Sequence, residues 1–239
     1  MQISELDCIH LLNIHVDVFA ATTIKYGNHS ITDNTKIILP NQTHSTNVEW
    51  VSDTTSEYPN TDALITNMSD IAIGIRTADC IPLLLYASDI KTIAAIHAGW
   101  KGTLNGIVDN VISQLIQAGA KTTNIFAGFG PAICQQCFEV DNSLANEFIN
   151  SGFGEYVSIN NDIDPISNLP FKEKKPHIDL VGINIKRLIN HNIPQNNINK
   201  QSLCTRHQQT NNQFLFHSWR RNNQTPYRNI TFIKFNAES

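Results

Sequence analysis

The chain has 239 residues, 41% of them hydrophobic and only 16% charged, with a formal net charge of −4. This suffices for a core, but the acidic balance, with no basic run longer than residues 172–175, gives nucleic acid no electrostatic footprint. No stretch approaches the roughly 18 consecutive apolar residues of a membrane span.

The first twenty residues lack a basic leader and carry Glu5, Asp7 and Asp17, so no signal peptide is expected there. A cytoplasmic setting is expected, in which Cys8, Cys80, Cys134, Cys137 and Cys204 stay reduced. "TKIILP" (35–40) is a short apolar run stopped by Pro40, and "NQTHSTNV" follows as a polar loop. "DALITN" (62–67), "IAIGIRT" (71–77), "IPLLLYA" (81–87) and "TIAAIHA" (92–98) are β-branched or apolar runs of strand length. No helix separates them, which predicts antiparallel or mixed pairing rather than repeated βαβ units. The period then changes. Leu104, Ile107, Val108, Val111, Ile112, Leu115 and Ile116 recur at helical spacing, and Gly119 is the expected stop. "NIFAGFG" (124–130) reads as a strand; helices are predicted over 141–152 and 179–192, capped by Asp141 and Asp179. Residues 153–177, with Pro165, Pro170 and Pro176, read as an irregular excursion. "KQSLCT", "QFLFHSW" and "NITFIKF" are expected closing strands. With no repeat or linker, residues 1–239 are expected to form a single β-rich α/β domain.

Three polar residues stand at the ends of apolar runs: His44, Cys80 and His97. Two histidines and a cysteine are suitable Zn²⁺ ligands that leave a fourth position open. A buried cysteine or histidine is equally a core residue, and these gaps of about 36 and 17 residues match no compact zinc-finger pattern, so both readings stand on the residues alone. "HAGWKGT" (97–103) leads into the first helix, so its free N–H groups, with Lys101 and Arg76, suit an anion, or the glycines simply serve a turn. Cys134 and Cys137 form a C-x-x-C, the mark of a metal knuckle or redox pair; without partners nearby in sequence they read as ordinary thiols near the site. The P-loop, G-x-S-x-G, and the H-x-E of zinc nucleobase deaminases are all absent. With Met1 and Met68 the only methionines and no H-x-H, blue-copper oxidase chemistry also lacks its ligands.

Taken together, "NQTHSTNV", "RTADCIPLLL", "IHAGWKGT", "GPAICQQCFEV" and "FHSWRRN" resemble, in order, the motifs of the YfiH-like family, also named laccase-domain or polyphenol oxidase proteins and, more recently, purine nucleoside phosphorylases. The resemblance implies a four-layer α/β/β/α fold with mixed sheets, and a Zn²⁺ held by His44, Cys80 and His97, with copper as the alternative ion. It implies phosphorolysis of adenosine, inosine, guanosine and 5′-methylthioadenosine, together with adenosine deamination. The expected partners are a nucleoside and phosphate, contacted by Arg76, Lys101 and Gln42, in a monomer or weak homodimer. Arg76 is also expected to act in catalysis with the three ligands, and Asp79 either to orient a ligand histidine or to serve as a turn residue capping backbone groups. Arg220 and Arg221 are expected to bind substrate or to pair with surface carboxylates. A copper polyphenol oxidase and a peptidoglycan-precursor editing factor are the alternative functions. Two departures from the family pattern stand out. Ser45 replaces a frequent glycine, and Thr225-Pro226-Tyr227-Arg228 stands where T-G-R is common.

Overall fold

The computed structural model describes residues 9–25, 33–159, 163–223 and 225–236. Strands β1 (Ile9–Leu11), β2 (Val18–Thr23), β3 (Lys36–Ile38), β4 (Val48–Trp50), β5 (Ala63–Thr66), β6 (Ile71–Thr77), β7 (Ile81–Ala87) and β8 (Thr92–Ala98) come first. Then follow α1 (Trp100–Asn105), α2 (Ile107–Gln117), β9 (Ile125–Phe129), α3 (Asn142–Phe148), β10 (Val157–Ile159) and β11 (Pro176–Ile178). The last elements are α4 (Leu180–Asn190), β12 (Ile198–Lys200), β13 (Gln209–Thr210), β14 (Gln213–Phe214), α5 (Trp219–Asn222) and β15 (Asn229–Phe235).

Two mixed sheets carry the architecture. One runs β12-β9-β7-β8-β5-β4 and the other β1-β2-β15-β6-β3. β7 and β8 pair as an antiparallel hairpin, with Leu84 opposite Ala95. Neighbours in sequence do not all pair. β5 joins β8 and β4, whereas β6 joins β15 and β3. The chain therefore leaves the six-stranded sheet after β5 and returns to it at β7. The return is made in three residues, 78–80, and Asp79 takes a φ of 96° there, a conformation uncommon outside glycine. Cys80 sits on this crossover.

The sheets pack face to face. Ile71, Ile73, Ile75, Ile233 and Val18 of one meet Leu64, Leu84, Tyr86, Ile93 and Ala95 of the other. The opposite face of the six-stranded sheet is covered by α2, α3 and α4, through Ile107, Val111, Leu115, Phe148, Ile183 and Leu188 against Ile65, Leu83, Leu85 and Ile96. Strands covered on both faces carry no polar alternation, so β7 and β8 are buried at every position. Each fully buried Leu or Ile contributes about 1.5–3 kcal/mol relative to exposure.

The first helix differs from the pattern read in the sequence. It ends at Asn105, Gly106 turns left-handed at φ 83°, and α2 restarts at Ile107. Arg187 of α4 donates to the carbonyls of Thr103 and Leu104 at 2.8–3.1 Å and pairs with Asp109. It thus satisfies the carbonyls that a helix end leaves open. This contact comes from a distant segment, so the local pattern cannot show it. Asp141 and Asp179 do cap α3 and α4, accepting from Leu144 N–H at 2.8 Å and Gly182 N–H at 2.9 Å. "KQSLCT" and "QFLFHSW" are not strands along their length. Cys204 makes one isolated bridge to Ala132, and the second run holds only β14 before turning into α5. Both segments serve side-chain contacts instead.

Candidate functional site

Asp62, buried just before β5, organises the site. Its carboxylate accepts the backbone N–H groups of Thr43 (3.1 Å), His44 (3.0 Å) and Ser45 (2.7 Å), and the Ser45 hydroxyl at 2.7 Å. It also lies 2.7 Å from His97 Nδ1. Burial by itself would raise the Asp62 pKa; the bonds from His97 and Ser45 outweigh it and hold the carboxyl well below its usual range. This clamp folds the polar loop after β3 over the ends of β5 and β8, with His44 at φ 62°. Ser45 does not disturb the loop. The left-handed residue is His44, and the serine hydroxyl adds a bond that glycine lacks.

His44, Cys80 and His97 come together, and their ligand atoms lie within 4.8 Å of one another. Cys80 Sγ is 3.9 Å from His44 Nε2, and the two imidazole rings meet edge to face at 4.9 Å. His97 spends Nδ1 on Asp62 and keeps Nε2 for a ligand, the usual carboxylate–histidine arrangement behind a metal. Burial would raise the Cys80 thiol, but His97 and His44 bring it down to about 6. Burial likewise lowers His97, and Cys80 with Asp62 raises it to about 9. Gly99 passes close by: a Cβ there would stand 3.0 Å from His44 Cδ2 and 3.1 Å from Cys80 Sγ. Only a residue without a side chain leaves the trio undisturbed. The donor set, one thiolate and two imidazoles with one side open, fits a four-coordinate ion such as Zn²⁺ with a free position.

The open side faces a cavity of about 870 Å³, walled by Trp100, Phe138 and Trp219 and carrying Arg76, Arg220 and Arg228. The other residues singled out in the sequence take varied places. Arg76 lines the cavity, its guanidinium anchored on the Pro40 carbonyl at 3.2 Å. The Gln42 amide is tied at both ends to the Arg76 backbone, each bond 2.8 Å, so it also holds the loop against β6. Lys101 is not among the lining residues; its ammonium rests over the Trp100 ring at 5.4 Å. Asp79 does not touch either histidine. Its carboxylate accepts Thr205 Oγ1–H at 2.6 Å and Arg220 N–H at 2.7 Å, binding the C-terminal segment beneath Cys80. The two arginines of "SWRR" separate: Arg220 reaches the cavity, while Arg221 donates to the carbonyls of Thr205, Arg206 and Phe216. Arg228 places the departing 225–228 segment at the cavity wall. Asp62 and the aromatic walls are not legible in the sequence; an aspartate before a strand reads as a turn residue, and only the pairing of β5 with β8, which sets it beside His97, reveals its task.

The family described as multi-copper polyphenol oxidoreductase laccase matches residues 21–236. The chain is 33% identical over 186 residues to "Adenosine deaminase RL5" from an unknown prokaryotic organism, covering 73% of this chain and 67% of that protein. It is 32% identical over 193 residues to a purine nucleoside phosphorylase of Clostridium acetobutylicum, covering 80% and 74%. The match to a purine nucleoside phosphorylase of Rickettsia conorii, at 36% identity, spans 54% of each chain. Among solved structures, the Bacillus licheniformis protein YfiH superposes with a TM-score of 0.75 at 25% identity, covering 92% of this chain and 93% of that one. A Neisseria meningitidis protein of the DUF152 family shares the fold, with a TM-score of 0.77 at 21% identity over 96% and 99% of the two chains.

Proposed function

Because the chain belongs to the multi-copper polyphenol oxidoreductase laccase family, we propose that its single catalytic domain is a zinc-dependent purine nucleoside phosphorylase with adenosine deaminase activity. The observation that carries the reading is the His44–Cys80–His97 trio, opening on a cavity that holds both flat aromatic walls and three arginines. The names of the related adenosine deaminase and purine nucleoside phosphorylases point the same way.

Bound to the trio, Zn²⁺ would supply Lewis acidity and lower the pKa of a coordinated water. The chain's own residues set up the rest. Asp62 fixes the His97 tautomer and the His44 loop together, so both imidazoles are positioned before any ligand arrives. Trp100, Phe138 and Trp219 offer faces on which a purine stacks. Arg76, Arg220 and Arg228 offer positive charge to phosphate. In phosphorolysis a phosphate oxygen bonds to ribose C1′ as the bond to the purine nitrogen breaks; the base leaves with the electron pair and takes up a proton. In deamination a water oxygen adds at C6 and ammonia departs. Met68, the methionine among the described residues, packs between the sheets and does not line the cavity, so it does not complete a blue-copper ligand set.

Incubating the purified protein with adenosine, with and without phosphate, tests the reading. Adenine released only with phosphate supports phosphorolysis, and inosine supports deamination. If neither forms, and Cys80→Ala alters nothing, the reading is wrong. Bound copper with oxygen uptake on phenols would place the oxidase in its stead.

A further inference from the structure

The C-x-x-C read as a pair of ordinary thiols does not stand alone in the fold. Cys134, Cys137, Cys204 and His207 converge, with their ligand atoms within 4.8 Å of one another. Cys137 Sγ lies 3.3 Å from His207 Nδ1. Cys137 and Cys204 are buried; Cys134 and His207 are half-buried. The four come from two short turns of the same kind. In the first, Cys137 N–H and Phe138 N–H donate to the Cys134 carbonyl, both at 3.0 Å. In the second, Gln208 N–H donates to the Cys204 carbonyl at 3.0 Å. C-x-x-C faces C-x-x-H, so each turn presents two donors three residues apart toward the other.

We propose that Cys134, Cys137, Cys204 and His207 form a second metal centre, a closed tetrahedral Cys₃His site for a structural Zn²⁺. Zinc–sulfur bonds of about 2.3 Å and zinc–nitrogen bonds of about 2.0–2.1 Å put tetrahedral ligand atoms some 3.5–3.8 Å apart, so the observed spread closes with small side-chain movements. The surroundings suit thiolate ligands. Cys134 N–H donates to Cys204 Sγ at 3.4 Å, and Arg206 Nη1 to Cys137 Sγ at 3.5 Å. Three thiolates around a divalent ion leave one negative charge, which the Arg206 guanidinium faces. No residue of this cluster lines the large cavity, and neither His44, Cys80 nor His97 belongs to it.

The placement gives the centre a task. The first turn carries Ile133 and Phe138 on the cavity wall, and the second carries Thr205, which holds Asp79 beside Cys80. Between these segments the backbone contributes the Ala132–Cys204 bridge, with Ala132 N–H bonded to Leu203 and Thr205 N–H to Ala132. An ion across the two turns therefore clasps the cavity wall to the segment supporting the first site. It acts as a fastener, with all four positions filled by protein and none left for substrate.

The test is metal stoichiometry of the full chain, purified from zinc-supplemented culture and measured by elemental mass spectrometry. The wild type is expected to carry two zinc ions, Cys204→Ser one, Cys80→Ser one, and the double variant none. Cobalt-loaded wild type should show thiolate-to-metal absorption that falls to about a quarter in Cys204→Ser, one thiolate of four remaining. His207→Cys, which keeps four ligands, should retain the second ion and guards against a Cys204 variant that fails to fold. Equal zinc in wild type and Cys204→Ser overturns the proposal. So does a disulfide among the three cysteines in the freshly purified protein. If Cys80→Ser keeps the full complement while Cys204→Ser loses its ion, the first site's reading fails and this one stands.

Discussion

Asp62→Asn tests whether one carboxylate assembles the site. In the structure Oδ1 faces His44 N–H and His97 Nδ1, while Oδ2 faces Thr43 N–H, Ser45 N–H and the Ser45 hydroxyl. An asparagine must turn its NH₂ toward one of these sets. Either way at least one part-buried N–H loses its acceptor, and on the Oδ1 side His97 must also change its tautomer, so the substitution is expected to cost about 1–3 kcal/mol. The negative charge facing His97 is lost as well, and disturbing such a partner typically lowers metal affinity 10–100-fold. Urea unfolding of the metal-free protein reads the first quantity, and zinc competition with a chromophoric chelator reads the second. Ser45→Ala removes only the hydroxyl bond and should cost about 1 kcal/mol, providing a folded reference. An Asp62→Asn protein within about 0.5 kcal/mol of wild type, with unchanged zinc affinity, would refute the organising role.

Three further outcomes are expected. In metal-free protein, alkylation of Cys80, followed by mass spectrometry of its peptide, should be half-maximal at about pH 6; an ordinary thiol would give about 8.5. Since the folded value lies below the unfolded one, the thiolate favours the native state above the unfolded pKa, and that contribution disappears as pH falls through about 6. A midpoint above pH 8 would contradict the pairing with His97 and His44. Gly99→Ala introduces a Cβ 3.0–3.1 Å from His44 and Cys80, so zinc affinity should drop at least about tenfold while the fold persists, checked by competition titration and circular dichroism. Leu84→Ala, between the two sheets, should cost about 2–5 kcal/mol in denaturant unfolding.

Much of the fold is legible because its signals are local. The runs 71–77, 81–87, 92–98 and 229–235 are strands over those same residues, since apolar β-branched runs need only two covering layers to be satisfied. Asp141 and Asp179 cap their helices through N–H groups three residues away. The break at Gly106 was hidden, because the arginine that ends α1 stands 84 residues beyond Thr103 in another helix. The expected strands at 200–205 and 213–219 hold only at their first residues, Lys200 in β12 and Gln213–Phe214 in β14, for a related reason: Thr205 and Cys204 are spent on Asp79 and the cysteine cluster rather than on a ladder, and Ser218 caps α5.

The site divides in the same way. Ligand chemistry is written in residue type, so the sequence by itself determined that His44, Cys80 and His97 could serve a metal and that Cys134 and Cys137 could bind one as a pair. It also determined the apolar runs, which must bury themselves whatever their partners. Only the tertiary structure decided that Asp62 and not Asp79 stands behind His97, that Arg220 reaches the cavity while Arg221 turns inward, and that Cys204 and His207 complete the C-x-x-C. Each of these pairs residues far apart along the chain, brought together by the crossing between two sheets and the return of the C-terminal segment. Such contacts depend on how whole layers dock, and no local period or spacing records that.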